Sequence, residues 1–347
     1  MSKNHSVFIL LRYWGNSCKA LKSSGRLHLL RSNHLVSNSV GYSTTSLQNQ
    51  CSFLNDSSCA MNEADPLYSS VIVNCVFNAF SAYTAIMLNI LSIHAIRKTS
   101  SLTKPLKALL LSLAVSDFGV GLLAQPLFIA EMVNSTNSTA GIAFNIIAIL
   151  LSNASFFNVV AISVDRFLAI HLHLRYQELV THKRVVTAVI LIWVLCFSFP
   201  LILIVSSKKI VSIVCLAILG FCFMITAMVN CKIYYTVQHH RNQIQVQRVQ
   251  VAQNVQITES AGRQRKSALS TFHVFLVFLV CHLPEYCVLI AREIFMPSTA
   301  LTQGLQAYSV TLVFLDSSLN PIIYCWKMKH IRLAMVDVLR NIFSRQN

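Results

Sequence analysis

Residues 141–176 read GIAFNIIAILLSNASFFNVVAISVDRFLAIHLHLRY, and the reading of this stretch decides the fold. It opens as an apolar span from Ile142 to Ile162. A charge pair, Asp165–Arg166, then stands where such a span would meet the edge of a membrane, and Phe167 and a short run lead on to Tyr176. A charge costs about 2.5–3.5 kcal/mol at the centre of a bilayer-spanning helix and less near the interface. A pair kept there marks either a working site or a topological anchor. Arg166 could also do no more than carry its guanidinium out to the headgroups on its long stem. The rest of the chain decides between these readings.

Of the 347 residues, 54% are hydrophobic and only 12% are charged. Soluble domains carry about 25% charged residues, so this composition is that of a membrane protein. A bilayer-crossing helix needs about 20 apolar residues, and seven of them with loops take roughly 280. That is the length left between Met61 and the end of the chain. Seven apolar segments follow in order, at about 68–96, 105–133, 141–170, 184–205, 210–237, 267–292 and 300–326. The fold expected is all-α, a seven-transmembrane helix bundle. After the seventh segment, Lys327, Lys329, Arg332 and Arg340 alternate with Met328, Ile331, Leu333, Met335, Val336 and Leu339. That pattern predicts a short amphipathic helix on the membrane surface. The domains expected are a tail over 1–67, the helical bundle over 68–326, and a cytoplasmic helix and tail over 327–347.

The net charge of +16 does not require a nucleic-acid partner. Loops 97–107, 171–184 and 232–266 and the C-terminal tail hold four, three, six and five Lys/Arg, whereas 127–141, 206–209 and 292–299 hold none, two and one. The positive-inside rule then puts the C-terminus in the cytoplasm and, with seven crossings, the N-terminus outside. Residues 1–60 contain six Lys/Arg and no acid before Asp56. Their composition fits an organellar transit peptide, but a disordered extracellular tail or an extension upstream of a start at Met61 fits better. Asn134-Ser135-Thr136 and Asn137-Ser138-Thr139 are adjacent glycosylation sequons in the link between the second and third segments, which favours an outer position for that link. The polar stretch 239–266 carries a Val/Ile spacing that either extends the flanking helices into water or belongs to a disordered loop. Most of the eleven cysteines lie inside apolar segments, where they act as small hydrophobes. Cys51 and Cys59 could bridge if the tail is outside, though nothing forces it.

Polar residues inside the segments fall at particular places. They are Asn89, Leu113-Ala114-Val115-Ser116-Asp117, Ser155, Asp165–Arg166–Phe167, Trp193, Cys281-His282-Leu283-Pro284, Asp316, and Asn320-Pro321-Ile322-Ile323-Tyr324. Taken in this order, the chain resembles the class A, rhodopsin-like G-protein-coupled receptors over about residues 68–343. The resemblance implies that Asn89, Asp117, Ser155 and Asn320 meet at mid-membrane and hold a sodium ion with water in the resting state; no other cofactor is expected. Asp316 adds a second acid where the family usually has Asn. Two carboxylates in one buried space do not both stay bare, so they share a cation or one holds a proton, unless Asp316 merely caps a kink before Pro321. The resemblance also implies that Asp165 restrains Arg166 at rest. On activation Arg166 turns toward the C-terminal helix of a heterotrimeric G protein, with Tyr324 swinging in beside it and Leu174 packing into the G protein. Pro284 and Pro321 each remove a backbone hydrogen bond and hinge a helix. Two packings of similar energy are what a ligand needs in order to shift a population.

The departures from the family pattern are informative. Phe167 replaces the usual Tyr, His282 the usual Trp, Asn230 a Tyr of the fifth helix, Gly141 the Cys that opens the third helix, and Cys222 the Pro of the fifth. A short second outer loop without Cys, together with these last two changes, is similar to the melanocortin receptors and their wider group, which includes the adenosine and cannabinoid receptors. Ala148 stands where amine receptors carry Asp, and Phe314 where opsins carry Lys. The ligand expected is therefore a peptide or small molecule, neither a typical biogenic amine nor retinal. The outer half of the bundle offers Gln125, Glu131, Asn145, Ser152, His282, Glu285, Tyr286 and Tyr308 as pocket residues. Glu285 either receives a cationic group or pairs internally with His282 or Arg292. His282 either touches the ligand or packs.

The partners expected are an extracellular ligand, a heterotrimeric G protein and membrane lipids, with the protein in the plasma membrane. A seven-helix transporter using Asp117 and Asp316 as a relay is the reading from another class, but transporters show internal repeats and no half-to-half similarity is seen. A receptor-like protein that binds without signalling is a third reading, prompted by His282 and Asn230. No nucleophile–base pair or metal set stands at the membrane edge, so an enzyme is not expected.

Overall fold

The computed structural model describes residues 48–100, 102–133, 139–172, 175–206, 209–247, 255–294 and 300–344. Asn134, Asn137 and Leu174 lie outside these residues, and Cys18, Cys51 and Cys59 outside the described side chains. Two units divide the chain, Met1–Ser69 and Ser70–Asn347. Among the described residues every regular element is helical. The first span lies in helix Gln48–Lys98, the third is Thr139–His171, the fourth His182–Ser206, the fifth Lys209–Gln247, the sixth Val255–Ile294 and the seventh Ala300–Lys327. The fifth and sixth helices thus reach well past their apolar segments, so the Val/Ile spacing after His239 extends them wherever that stretch is described.

The second span is built in three parts: Lys104–Gly119, a π turn at Val120–Ala124, and Gln125–Val133. Pro126 explains the middle part, which the apolar pattern alone does not predict. A proline inside a helix has no N–H to donate and collides with the carbonyl four residues back. The wider π turn just before it relieves both conflicts. At its inner end this span begins on Thr103, whose extended backbone (φ −61°, ψ 142°) precedes Pro105, a placement suited to a residue with no N–H. Lys107 Nζ donates to the carbonyls of Arg97 (2.6 Å) and Thr99 (3.3 Å), and so satisfies the end of the first helix.

Among the described residues, six helices are long and apolar enough to cross a bilayer. The seventh has 28 residues but is more polar. Its polar side chains Thr302, Ser309, Thr311, Asp316, Ser317, Ser318 and Asn320 are all buried inside the protein. Polar groups at bilayer depth must face protein, since lipid offers no partner. The outer faces show the opposite pattern, with Phe80 and Val280 each 68% exposed and Phe221 67% exposed, as a surface solvated by lipid requires.

The third span is the hub. It packs on the second, fourth, fifth and sixth. Phe156 on it stacks with Phe223 at 4.8 Å and with Phe278 at 5.5 Å, tying the fifth and sixth spans together at mid-depth. The helix expected after the seventh span is present at Lys329–Ser344. It buries Ile331, Met335 and Val338 against the bundle, while Leu333, Val336 and Leu339 on another face remain exposed.

Candidate functional site

Three polar layers lie along the bundle, and the one at the C-terminal end of the third span contains the Asp165–Arg166 pair. Asp165 and Arg166 are each only 4% exposed, so neither reaches water or headgroups. Arg166 Nε donates to Asp165 Oδ2 at 2.9 Å, and its Nη2 bonds to the same oxygen. The second carboxylate oxygen is occupied too: the Tyr176 hydroxyl donates to Asp165 Oδ1 at 2.7 Å. Tyr176 opens a single helical turn, Tyr176–Leu179, in the loop after the third span. Burial, and then the neighbouring Asp165 carboxylate, push its phenol upward from the ordinary tyrosine value, so it keeps its proton and remains a donor. Nothing in the sequence assigns Tyr176 this task.

The middle layer surrounds Asp117, which is fully buried. Ser155 Oγ donates to its Oδ1 at 3.0 Å and Asn320 Nδ2 to its Oδ2 at 2.9 Å. Three of the four residues expected at mid-membrane therefore meet directly. Asn89 belongs to the same layer but bonds elsewhere, to the carbonyls of Ala85 (2.9 Å) and Ser317 (2.8 Å). Asp316 is 1% exposed, and neither of its oxygens receives a hydrogen bond from the described residues. Asn320 Oδ1, Asn89 Oδ1 and Tyr324 Oη are likewise buried without a partner. A layer with two carboxylates and spare amide oxygens has the hard-oxygen chemistry that suits a small cation, though no group of three or more His, Cys, Asp or Glu gathers among the described residues. Two further bonds hold the scaffold around it. Trp193 Nε1 donates to Ser112 Oγ at 3.0 Å, and Asn230 Nδ2 to Ser163 Oγ at 2.9 Å.

The outermost layer is a cavity of about 430 Å³. Asn145, Ser152, His282, Glu285 and Tyr286 line it, with Phe128, Phe144, Phe199 and Phe314 among its apolar walls. Gln125, Glu131 and Tyr308 do not line it, against expectation. Gln125 is fully buried and turns to the first span, where its Nε2 lies 3.4 Å from Asn78 Oδ1. The π turn ahead of it sets that direction, because it rotates every later residue of the span. Glu131 presses its carboxylate against Gly141, where an added Cβ would sit 2.5 Å from Oε2. Tyr308 is 46% exposed and shares a 2.6 Å hydrogen bond with Ser70. The alternatives left open for Glu285 resolve differently from either pairing named: its carboxylate accepts from Gln306 and Ser309 of the seventh span. Arg292 reaches it only at one remove, by donating to Gln306 Oε1 at 2.8 Å. Gln306 and Ser309 escaped the sequence reading because one turn of polarity in an already polar helix gives no signal of its own.

Seven spans, with a buried Asp–Arg pair near the C-terminal end of the third and a cavity toward its N-terminal end, make a seven-helix membrane bundle. The family model of the seven-transmembrane receptor (rhodopsin family) matches residues 88–324, and the chain belongs to that family. Similar proteins include adenosine receptor A3 of Ovis aries, 25% identical over 283 residues that cover 74% of this chain and 86% of that receptor. Adenosine receptor A2b of Mus musculus is 36% identical over 121 residues, 35% of this chain and 36% of that receptor. Adenosine receptor A2b of Homo sapiens is 36% identical over 114 residues, 33% of this chain and 34% of its own length. Within the group to which the sequence departures pointed, the similarity thus runs to adenosine receptors. The protein is a multi-pass receptor of the plasma membrane, and its family couples extracellular ligands to G proteins in general.

Proposed function

We propose that this receptor converts the binding of a small extracellular ligand in the 430 Å³ cavity into activation of a heterotrimeric G protein on the cytoplasmic face, with its N-terminus outside. The observation that carries the reading is the buried guanidinium of Arg166, held to Asp165 while Tyr176 holds the other oxygen of the same carboxylate. A charge at this depth is expensive unless paired, so the closed arrangement is a low-energy resting state that a bound G protein can replace with contacts of its own. Between cavity and lock, Pro284 and Pro321 stand inside the sixth and seventh helices and supply the hinges. Asn89, Asp117, Ser155, Asp316 and Asn320 form the layer where a sodium ion or a proton biases the resting packing. Leu174 is the side chain proposed to dock the G protein. Adenosine, named by the similar receptors, enters the ligand panel as a neutral member.

The test is G-protein activation in cells, basal and with a ligand panel, comparing the wild type with Arg166→Ala. Surface copies are counted through an N-terminal tag on intact cells. The variant is expected to lose essentially all ligand-dependent activation at equal surface number. Equal signals from the two proteins would remove the mechanism, and a tag stained only after permeabilisation would reverse the orientation.

A further inference from the structure

Two of the groups lining the cavity, His282 and Glu285 of the sixth span, are acceptors, and this restricts what can bind beside them. Consider His282 first. Its Nδ1 lies 3.1 Å from the backbone carbonyl oxygen of Phe278. A carbonyl oxygen only accepts, so Nδ1 carries the proton and Nε2 of the neutral ring presents a lone pair. The ring is fixed in that pose by stacking on Phe278, with centroids 3.8 Å apart. His282 is among the residues lining the cavity, and its Nε2 is buried and receives no hydrogen bond from the described residues. A buried acceptor left without a donor is costly, and the described residues supply none.

Glu285 sits three residues further along the sixth helix, on the same face. Its two oxygens accept from Gln306 and Ser309, both of them neutral donors. Each carboxylate oxygen can take a second hydrogen bond. Among the described residues no cationic side chain lies within ion-pair distance of it. The nearby Arg292 donates through Nη1 to Gln306, and the Glu293 carboxylate accepts from Ser212 on one oxygen at 3.0 Å. Tyr286 turns its hydroxyl away, to the Leu216 carbonyl at 3.0 Å. His282 and Glu285, three residues apart on the sixth span, therefore bring a lone pair and a carboxylate to a cavity walled in part by phenylalanines.

We infer that the ligand's buried end is a flat cationic group with at least two N–H donors, an amidine or guanidine, bridging His282 Nε2 and the Glu285 carboxylate, and that its body is aromatic. Such a group delivers two directed donors and one positive charge, which matches these two acceptors in both number and sign. The guanidine of an arginine-containing peptide and a free small amidine share this chemistry. The inference rests on the cavity being the ligand site, as proposed above. It places the cation on the sixth span, whereas Ala148 leaves the third span without an acid at that level.

The test uses the purified full-length receptor and one molecular body with three heads: biphenyl-4-carboxamidine, biphenyl-4-carboxamide and biphenyl-4-carboxylate, with N-acetyl-Trp-Arg-amide as the peptide arm. Binding is measured by calorimetry or thermal shift. The amidine is expected to bind about tenfold or more tightly than the carboxamide, and the carboxylate not measurably. Glu285→Gln should erase the advantage of the amidine over the carboxamide, whereas His282→Phe, which keeps the stack on Phe278, should weaken both. The Glu285→Gln ratio is read within one protein, so it survives a His282→Phe variant that fails to fold. Binding of the dipeptide as tightly as the amidine would assign the head to a peptide arginine; its failure beside a bound amidine would assign it to a small molecule. An amidine that does not bind the wild type, a ratio near one, or a ratio unchanged in Glu285→Gln would overturn the inference. No G protein takes part in these measurements, so their failure leaves the coupling experiment standing, and the reverse also holds.

Discussion

At the scale of the residue, the Asp165 carboxylate is the point where restraint is applied. One oxygen holds Arg166 and the other holds Tyr176. Tyr176→Phe keeps the ring in its buried seat and deletes only the hydroxyl. Hydrogen bonds to charged groups are worth about 1.5–3 kcal/mol, so the resting arrangement should lose roughly tenfold in population relative to the active one. Ligand-independent signalling is therefore expected to rise several-fold at unchanged surface number. A basal signal equal to that of the wild type would show that Tyr176 is packing and nothing more. The pair Asp165–Arg166 was visible in sequence because two charges beside an apolar run are conspicuous. The third member was not, because a tyrosine eleven positions along carries no sign that it folds back.

At the scale of the element, the first and seventh helices are joined by a ladder of polar side chains. Asn78 Nδ2 donates to Thr311 Oγ1 at 2.9 Å, Thr311 bonds Asn74, and Ser318 Oγ donates to the Ser81 carbonyl at 3.0 Å. Asn74, Asn78, Ser81 and Asn89 recur along one face of the first helix, and all are buried. Hydrogen bonds between membrane helices average about 0.6 kcal/mol and reach about 1.7 kcal/mol. Asn78→Leu removes the bond to Thr311 and the side-chain contact with Gln125, which keep only their other partners, Asn74 and Ala307 for Thr311 and the Asn78 carbonyl for Gln125. The purified variant is expected to melt several degrees below the wild type, at a cost of about 1–2 kcal/mol. An unchanged melting temperature would mean that lipid-facing contacts, and not this ladder, hold the seventh helix. The existence and order of the helices were legible from apolar length. The π turn at Val120–Ala124 was not, and with it went the direction in which Gln125 points.

At the scale of the whole molecule, the middle layer lies between the ligand cavity and the inner lock, so whatever occupies it biases the entire bundle. Asp316 brings a second carboxylate into that layer with both oxygens unpartnered. If a sodium ion shared with Asp117 steadies the resting packing, replacing sodium with choline should raise basal signalling in the wild type. Asp316→Asn should shrink that response to a small fraction. Identical responses from the two proteins would remove Asp316 from ion binding and leave it a local feature of the kink at Pro321.

Sequence alone determined that this chain crosses the membrane on seven helices, which residues are too polar to face lipid, and which family it resembles. Those properties follow from hydropathy, length and the spacing of polar residues, and each is local to a segment. Only the tertiary structure decided which polar side chain meets which. It gave Glu285 to Gln306 and Ser309, sent Gln125 to Asn78, and closed Tyr176 over Asp165. Such pairings depend on the rotation of one helix against another. A shift of one residue turns a side chain by about 100° around the helix, and no segment carries the reference against which its own rotation could be read.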